Sequence, residues 1–214
     1  MSESWHRGDW MQTYTGRQFY PMDPRPDDVD PIDIAHALSL LCRYNGHVTR
    51  FYSVAEHCVL MSEAVTPEHA LWALLHDATE AYVGDMIRPL KRFMPDYVRA
   101  EDRVMQAIAA RFGIADSMPA DVKDADNRIL LTERAALMPS NGHAWGVDSL
   151  DPLPVTISGW EPLVAEARYL DRLAALEPRC ACSGVTSQHG VDQDFGPDKV
   201  WRCDECDRIW EASS

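Results

Sequence analysis

Apolar residues recur with a helical period along most of this chain. Ile34, Leu38, Leu41 and Cys42 fall on one face, and Gly46 is the stop signal. The next helix has a marked start, because Ser53 stands three residues before Glu56, the spacing of a capping box. It is expected to run through Val54, His57, Cys58 and Met61 to about Ala64. Thr66-Pro67-Glu68 opens a third helix that carries Leu71, Leu74, Leu75 and Ala78. Gly84 and Pro89 mark an irregular turn. Pro95-Asp96 opens a fourth helix that Gly113 closes. Pro119 to about Met138 reads as a fifth, and Trp160 to Leu176 as the last, with Leu163, Ala167, Leu170 and Leu173 on one side. No period-2 alternation precedes residue 180, so the body is expected to be an all-α domain.

The boundaries follow from breaks in this pattern. Pro21, Pro24, Pro26 and Pro31 interrupt any long helix near the N-terminus, so residues 1–31 read as an irregular arm. Its aromatic residues Trp5, Trp10, Tyr14, Phe19 and Tyr20 are available to pack it onto the body. The helical domain is expected over 32–178, with a loop rich in Gly, Pro, Ser and Asp from Pro139 to Thr156. Past Glu177-Pro178 the helical pattern ends and a cysteine-bearing module begins, 179–214.

Four polar residues are stranded inside the apolar helices. His57 sits between Ala55 and Val59, His76 and Asp77 follow Leu71-Trp72-Ala73-Leu74-Leu75, and Asp126 lies between Val122 and Ile129. Burying one unpaired polar or charged group costs several kcal/mol. A shared cation would satisfy all four. Imidazole nitrogen with carboxylate oxygen suits Zn, Mn, Fe, Co or Ni. Four such ligands leave positions open for water and a phosphate oxygen, the pattern of a catalytic site. Glu80 stands four residues after His76, one helical turn on, and is a candidate general acid/base or water positioner. Asp85 follows Gly84 in a turn. His36, His47 and His69 read as ordinary histidines of core or surface.

Composition narrows the class. The 214 residues hold 46% hydrophobic and 25% charged residues, ordinary for a globular protein with a buried core. The formal net charge of −14 argues against strong nucleic-acid binding, which needs a positive surface. A small anionic substrate is still compatible, since a bound cation and a few local Arg or Lys residues reverse the potential of one cleft. There is no apolar run of membrane-spanning length and no signal-peptide pattern, so the expected location is the cytoplasm.

The cysteines add a second metal expectation. Cys180-x-Cys182, then Cys203-x-x-Cys206 after a gap, has the look of a zinc ribbon closed by four thiolates, with Trp201 and Trp210 suited to a small β-hairpin core. His189 is an alternative ligand, and a tail of free thiols is the bland alternative. From residue 180 onward Lys199, Arg202 and Arg208 stand against seven Asp and Glu, a balance that argues for a structural or protein-docking role rather than DNA binding.

The segments Val54-Ala55-Glu56-His57, Leu75-His76-Asp77-Ala78-Thr79-Glu80 with Gly84-Asp85, and Val122-Lys123-Asp124-Ala125-Asp126 resemble the HD-domain phosphohydrolase superfamily. Within it the chain looks similar to bacterial 5'-deoxynucleotidases and to small phage dNTP hydrolases, dATP triphosphohydrolases among them. The likeness covers roughly residues 30–140. It implies an HD-domain helical bundle. It implies His57, His76, Asp77 and Asp126 as ligands of one divalent transition metal, Zn, Co or Mn. It implies Glu80 and Asp85 as the acidic pair beside the reacting phosphate, and Arg43 and Tyr44 as an Arg-aromatic pair that orients phosphate and sugar or base. Arg50 is the substitute for Arg43. Ile87, Arg88 and Lys91 fall in the substrate-contacting stretch, where Lys91 would reach a phosphate, and Ile87-Arg88 departs from the Pro-Thr of the nucleotidases. The implied partner is a nucleotide, and a homodimer is the family's usual form. Rival readings are a cyclic-nucleotide phosphodiesterase, which needs further ligand residues such as His47 or His69, and a non-catalytic nucleotide-sensing adaptor.

Overall fold

The computed structural model describes residues 7–177 and the backbone of three short strands at 186–188, 200–203 and 209–211. Its body is helical. α1 (Pro31–Leu40) begins where the Asp30 side chain accepts the Ile32 N–H at 2.9 Å, with Pro31 in the first turn. It buries Ile34, Ala35 and Leu38. The helix stops at Leu40, ahead of the expected Gly46, because the chain turns extended there. Cys42 bridges Ser53, and the Arg43 N–H donates to the Tyr52 carbonyl at 3.0 Å. In the bend that follows, Tyr44 and Asn45 sit at φ of +57° and +51°. This left-handed region costs a residue with a Cβ roughly 1–2 kcal/mol.

α2 (Val54–Ala64) is the central helix. Val54 to Ser62 are all buried, and α1, α3, α7 and α8 pack around it. Ser53 Oγ accepts the Glu56 N–H at 3.0 Å, as the capping spacing predicts. The Glu56 carboxylate does not complete the box. It accepts the N–H groups of Ser158, Gly159 and Trp160 at 2.8, 3.0 and 2.6 Å. A fully buried carboxylate needs such donors, and the loop before α8 supplies three at once.

The third expected helix is broken in the middle. A 3-10 turn, Pro67–His69, leads into α3 (Ala70–Leu75), which ends one residue before His76. The N–H groups of Ala78, Glu80, Ala81 and Tyr82 then bond three residues back, at 2.9–3.3 Å, instead of four. α4 (Glu80–Val83) closes at Gly84, whose φ is +79°. α5 (Arg88–Lys91) is a single turn that the pattern did not announce. α6 (Pro95–Phe112) ends on Gly113 in the left-handed conformation, as predicted, and α7 spans Ala120–Leu137. α8 (Pro162–Leu176) buries Ala165, Tyr169 and Leu173, so the expected Leu173, with Leu170 beside it, faces the core, whereas Ala167 is exposed and Leu163 is 79% exposed. Tyr169 can enter the core because its hydroxyl donates to the Leu74 carbonyl at 3.0 Å.

The N-terminal arm is more ordered than its prolines suggested. β1 (Met11–Gln12) and β2 (Gln18–Phe19) form an antiparallel hairpin, too short for alternation to register. Phe19 is fully buried and stacks on Tyr82 with ring centroids 3.8 Å apart. Asp33 of α1 accepts the Thr15 N–H and hydroxyl at 2.7 and 2.9 Å. The arm is therefore packed on the helical body from Arg7 onward.

β3 (Thr186–Gln188), β4 (Val200–Cys203) and β5 (Ile209–Glu211) form an antiparallel sheet in that order, with Trp201 opposite Trp210. Cys203 ends β4. Cys180, Cys182, Cys206 and His189 lie outside the described residues, and the expected zinc site with them. Among the described residues no helix is long and apolar enough to cross a membrane.

Candidate metal centre

Three elements converge below the mouth of the fold. α2 carries His57, the tightened turn after α3 carries His76 and Asp77, and α7 carries Asp126. His57, His76 and Asp126 can hold a metal ion, since their ligand atoms lie within 4.8 Å of one another. Asp77 joins them, with Oδ2 at 3.2 Å from His76 Nε2 and 3.6 Å from His57 Nε2. Three of the four residues singled out in the sequence, His57, His76 and Asp126, could hold one ion, and Asp77 stands beside the two histidines.

The hydrogen bonds of the two rings fix which nitrogens face that point. His76 Nδ1 lies 2.7 Å from the Ala73 carbonyl, and His57 Nδ1 lies 2.7 Å from Glu133 Oε1. Both partners only accept, so each Nδ1 carries a proton and each Nε2 is the nitrogen turned inward, the one available to a cation. The two Nε2 atoms are 3.1 Å apart. Two inward nitrogens flanked by carboxylates form a donor set that could hold a metal ion. Cys58 Sγ comes within 4.0 Å of His76 Nδ1, but that nitrogen is already bonded to Ala73.

The electrostatics are those of a buried site with excess negative charge. Burial opposes ionisation of Asp77, yet His76, His57 and Arg43 hold it well below the usual carboxylate range. Burial likewise opposes the charge of Asp126, which His76 and Arg88 keep low. Burial and Arg43 push His57 down, whereas at His76 burial is opposed by Asp77 and Cys58, which together push it well above the ordinary imidazole value. Burial, then Asp77 and Asp85, raise the Glu80 carboxyl well above its ordinary value, and burial with Asp77 raises Asp85. Glu80 Oε2 is buried with no hydrogen-bond partner among the described residues. Asp85 is half-buried.

The expected substrate contacts divide. Arg43 reaches the centre, but its guanidinium is engaged: Nη1 lies 3.2 Å from Asp77 Oδ2 and Nη2 3.4 Å from Glu133 Oε2. The Tyr44 hydroxyl donates to Glu133. Arg50, the substitute for Arg43, is remote from this cluster and donates to the Ile157 carbonyl at 2.8 Å. Arg88 Nη2 lies 2.7 Å from Asp126 Oδ2, with the side chain half exposed. Ile87 beside it is 40% exposed. Lys91 pairs with Glu101 of α6 rather than with the cluster. His69 pairs with Asp121 at 2.7 Å on the surface, and His36 with Glu166 at 3.1 Å.

Two residues of the site went unread in the sequence. Glu133 is fully buried on α7 and orients His57. Its signal was present, since it lies two helical turns after Asp126 on a face shared with the buried Ile129, Leu130 and Leu137. Lys123 brings Nζ to 3.3 Å from Asp126 Oδ2, the oxygen that Arg88 also holds.

No family model matches the chain. It is similar to the uncharacterized protein YfdR of Escherichia coli (strain K12), 44% identical over 147 residues that span 69% of this chain and 82% of that protein. It is also similar to the uncharacterized protein RCAP_rcc00048 of Rhodobacter capsulatus, 40% identical over 126 residues, 54% of this chain and 64% of that protein.

Proposed function

The chain belongs to the family of Escherichia coli YfdR, and from its metal centre we propose that it is an HD-domain phosphohydrolase, a 5'-deoxynucleotidase or deoxynucleoside triphosphate hydrolase. One observation carries the reading. His57, His76, Asp77 and Asp126 converge in a buried centre, and beside them the raised Glu80 carboxyl leaves Oε2 without a partner. A structural cation needs only the ligands. A buried, unpartnered carboxyl next to them is what a reaction requires.

The cation held by these four residues would acidify a water to a pKa of about 7 and polarise a phosphoryl oxygen. Glu80 would hold the attacking water or protonate the leaving oxygen, and burial, then Asp77 and Asp85, favour its acid form. Arg43 would offset charge from within 3.2 Å of Asp77. Arg88 and Lys123, both about half exposed, place two cations at Asp126 on the rim, which favours an anionic substrate in a chain of net charge −14. The pairing of His69 with Asp121 disfavours the cyclic-nucleotide phosphodiesterase, which needs a further ligand residue.

The test is release of phosphate, pyrophosphate or triphosphate from a panel of dNMPs and dNTPs with Mn, Co and Zn. Turnover of at least one nucleotide is expected, with loss in Glu80→Gln while metal binding persists. A metal-loaded protein inert toward the whole panel contradicts the proposal.

A further inference from the structure

Glu133 has no place in the four-ligand centre, yet its carboxylate contacts one ligand, His57, and both residues of the Arg43–Tyr44 segment. It is fully buried, on an otherwise apolar stripe of α7 formed by Ile129, Leu130 and Leu137. A leucine would pack there without the cost of desolvating a charge. What the carboxylate supplies is bonding on both of its oxygens. Oε1 lies 2.7 Å from His57 Nδ1. Oε2 accepts the Tyr44 hydroxyl. The Arg43 guanidinium spans the two, with Nε 3.4 Å from Oε1 and Nη2 3.4 Å from Oε2.

The remaining Arg43 nitrogen closes a ring. Nη1 meets Asp77 Oδ2 at 3.2 Å, and the same Oδ2 stands 3.6 Å from His57 Nε2. The circuit runs Glu133, His57, Asp77, Arg43 and back to Glu133. Tyr44 adds an argument of its own. Its backbone is in the left-handed region, which is strained for a tyrosine, and the side chain is held there by its bond to Glu133 while the His47 N–H donates to its carbonyl at 3.0 Å.

We propose that Glu133 is a positioning residue that couples the two sides of the site. One oxygen sets the His57 ring so that Nε2 points at the metal position, and the other sets the Arg43–Tyr44 segment at the edge of the cleft. The inference rests on the metal-centre part of the proposed function and not on the identity of the substrate. An imidazole with no acceptor at Nδ1 turns about its side-chain bond or exchanges its proton between nitrogens, and the inward lone pair is lost in either case.

The experiment uses metal-free full-length protein titrated with Co2+, read by visible absorbance, for wild type, Glu133→Gln, Tyr44→Phe and the double variant. Far-UV circular dichroism checks folding, and nitrogen-15 spectra of the metal-free protein report the proton on His57. The expected result for Glu133→Gln is a 10- to 100-fold loss of Co2+ affinity with helical signal retained and a His57 resonance shifted from the Nδ1–H form. Glu133→Asp, which keeps the carboxylate, should recover part of the affinity. Tyr44→Phe should weaken Co2+ less, and its effect should vanish in the Glu133→Gln background, since the coupling passes through that carboxylate. Wild-type affinity with an unshifted His57 signal in folded Glu133→Gln overturns the positioning role. Additive effects of the two substitutions overturn the coupling. No nucleotide enters these readouts, so inertness in the hydrolysis panel leaves them standing, whereas failure of wild type to bind Co2+ removes the metal centre itself.

Discussion

His57 and His76 face each other with Nε2 atoms 3.1 Å apart, while each ring gives its Nδ1 proton to a partner on the far side, Glu133 and the Ala73 carbonyl. Two lone pairs cannot share that gap without a cation or a proton between them. Metal should therefore stabilise the fold. At a free concentration 100-fold above the dissociation constant, Mn2+ or Co2+ adds about 2.7 kcal/mol, seen as a rise in Tm that EDTA reverses. His76→Ala should show no such rise. An equal rise in that variant places the ion elsewhere.

Acid should weaken the metal-free protein partly through Glu133. Burial works against its charge, but Arg43 and His57 outweigh burial and hold the carboxyl down at about 2. A depressed folded-state value means the contribution is complete above the unfolded value near 4.5 and is lost as pH falls toward 2. The shift corresponds to about 3 kcal/mol. Urea unfolding of wild type and Glu133→Gln from pH 6 to pH 2.5 checks this. The difference between their stabilities should shrink as pH drops, and a constant difference would count against a charged, paired Glu133.

Glu56 should matter for the fold more than for the chemistry. Its carboxylate is the acceptor for the N–H groups of Ser158, Gly159 and Trp160. Glu56→Ala leaves all three without it, and the expected loss is about 3 kcal/mol or more. Denaturant unfolding measures this. A change under about 0.5 kcal/mol, the ordinary surface effect, is the contrary result.

Gly84 positions Asp85 through backbone shape. It holds φ +79° and ψ 159°, and its carbonyl accepts the Tyr97 hydroxyl at 2.5 Å. Space is not the obstacle to a side chain, because nothing lies within 4 Å of an added Cβ. Gly84→Ala should cost about 1–3 kcal/mol from strain alone and lower kcat through displacement of Asp85. Unchanged Tm and kcat would show that the turn tolerates a Cβ.

The helices were legible where period and end signals agree. α2 runs from the Ser53 cap to Ala64 as read, and α6 stops at Gly113. The four polar residues inside apolar helices were legible for the same reason, since a stranded His or Asp has few explanations. The break at His76 was not, because it depends on the Ala73 carbonyl accepting from the His76 ring, a side-chain bond that leaves no period. On α8 the expected Leu170 and Leu173 do pack on the core, but Tyr169 joins them in place of Leu163 because Leu74 supplies an acceptor for its hydroxyl. Lys91 looked like a phosphate ligand until α6 brought Glu101 beside it. Glu133 obeyed the same rule as Asp126 but resembled an exposed helix carboxylate, and only the packing of α2 against α7 sets it on His57.

The most direct measurement is reconstitution of hydrolysis. Protein stripped of metal is titrated with Mn2+ or Co2+ while phosphate release from the best substrate of the nucleotide panel is followed. Activity should rise from background to a plateau at one ion per centre formed by His57, His76, Asp77 and Asp126, and Asp77→Ala should stay at background throughout. Full hydrolysis by the stripped protein, or by metal-treated Asp77→Ala, would contradict a metal-dependent phosphohydrolase.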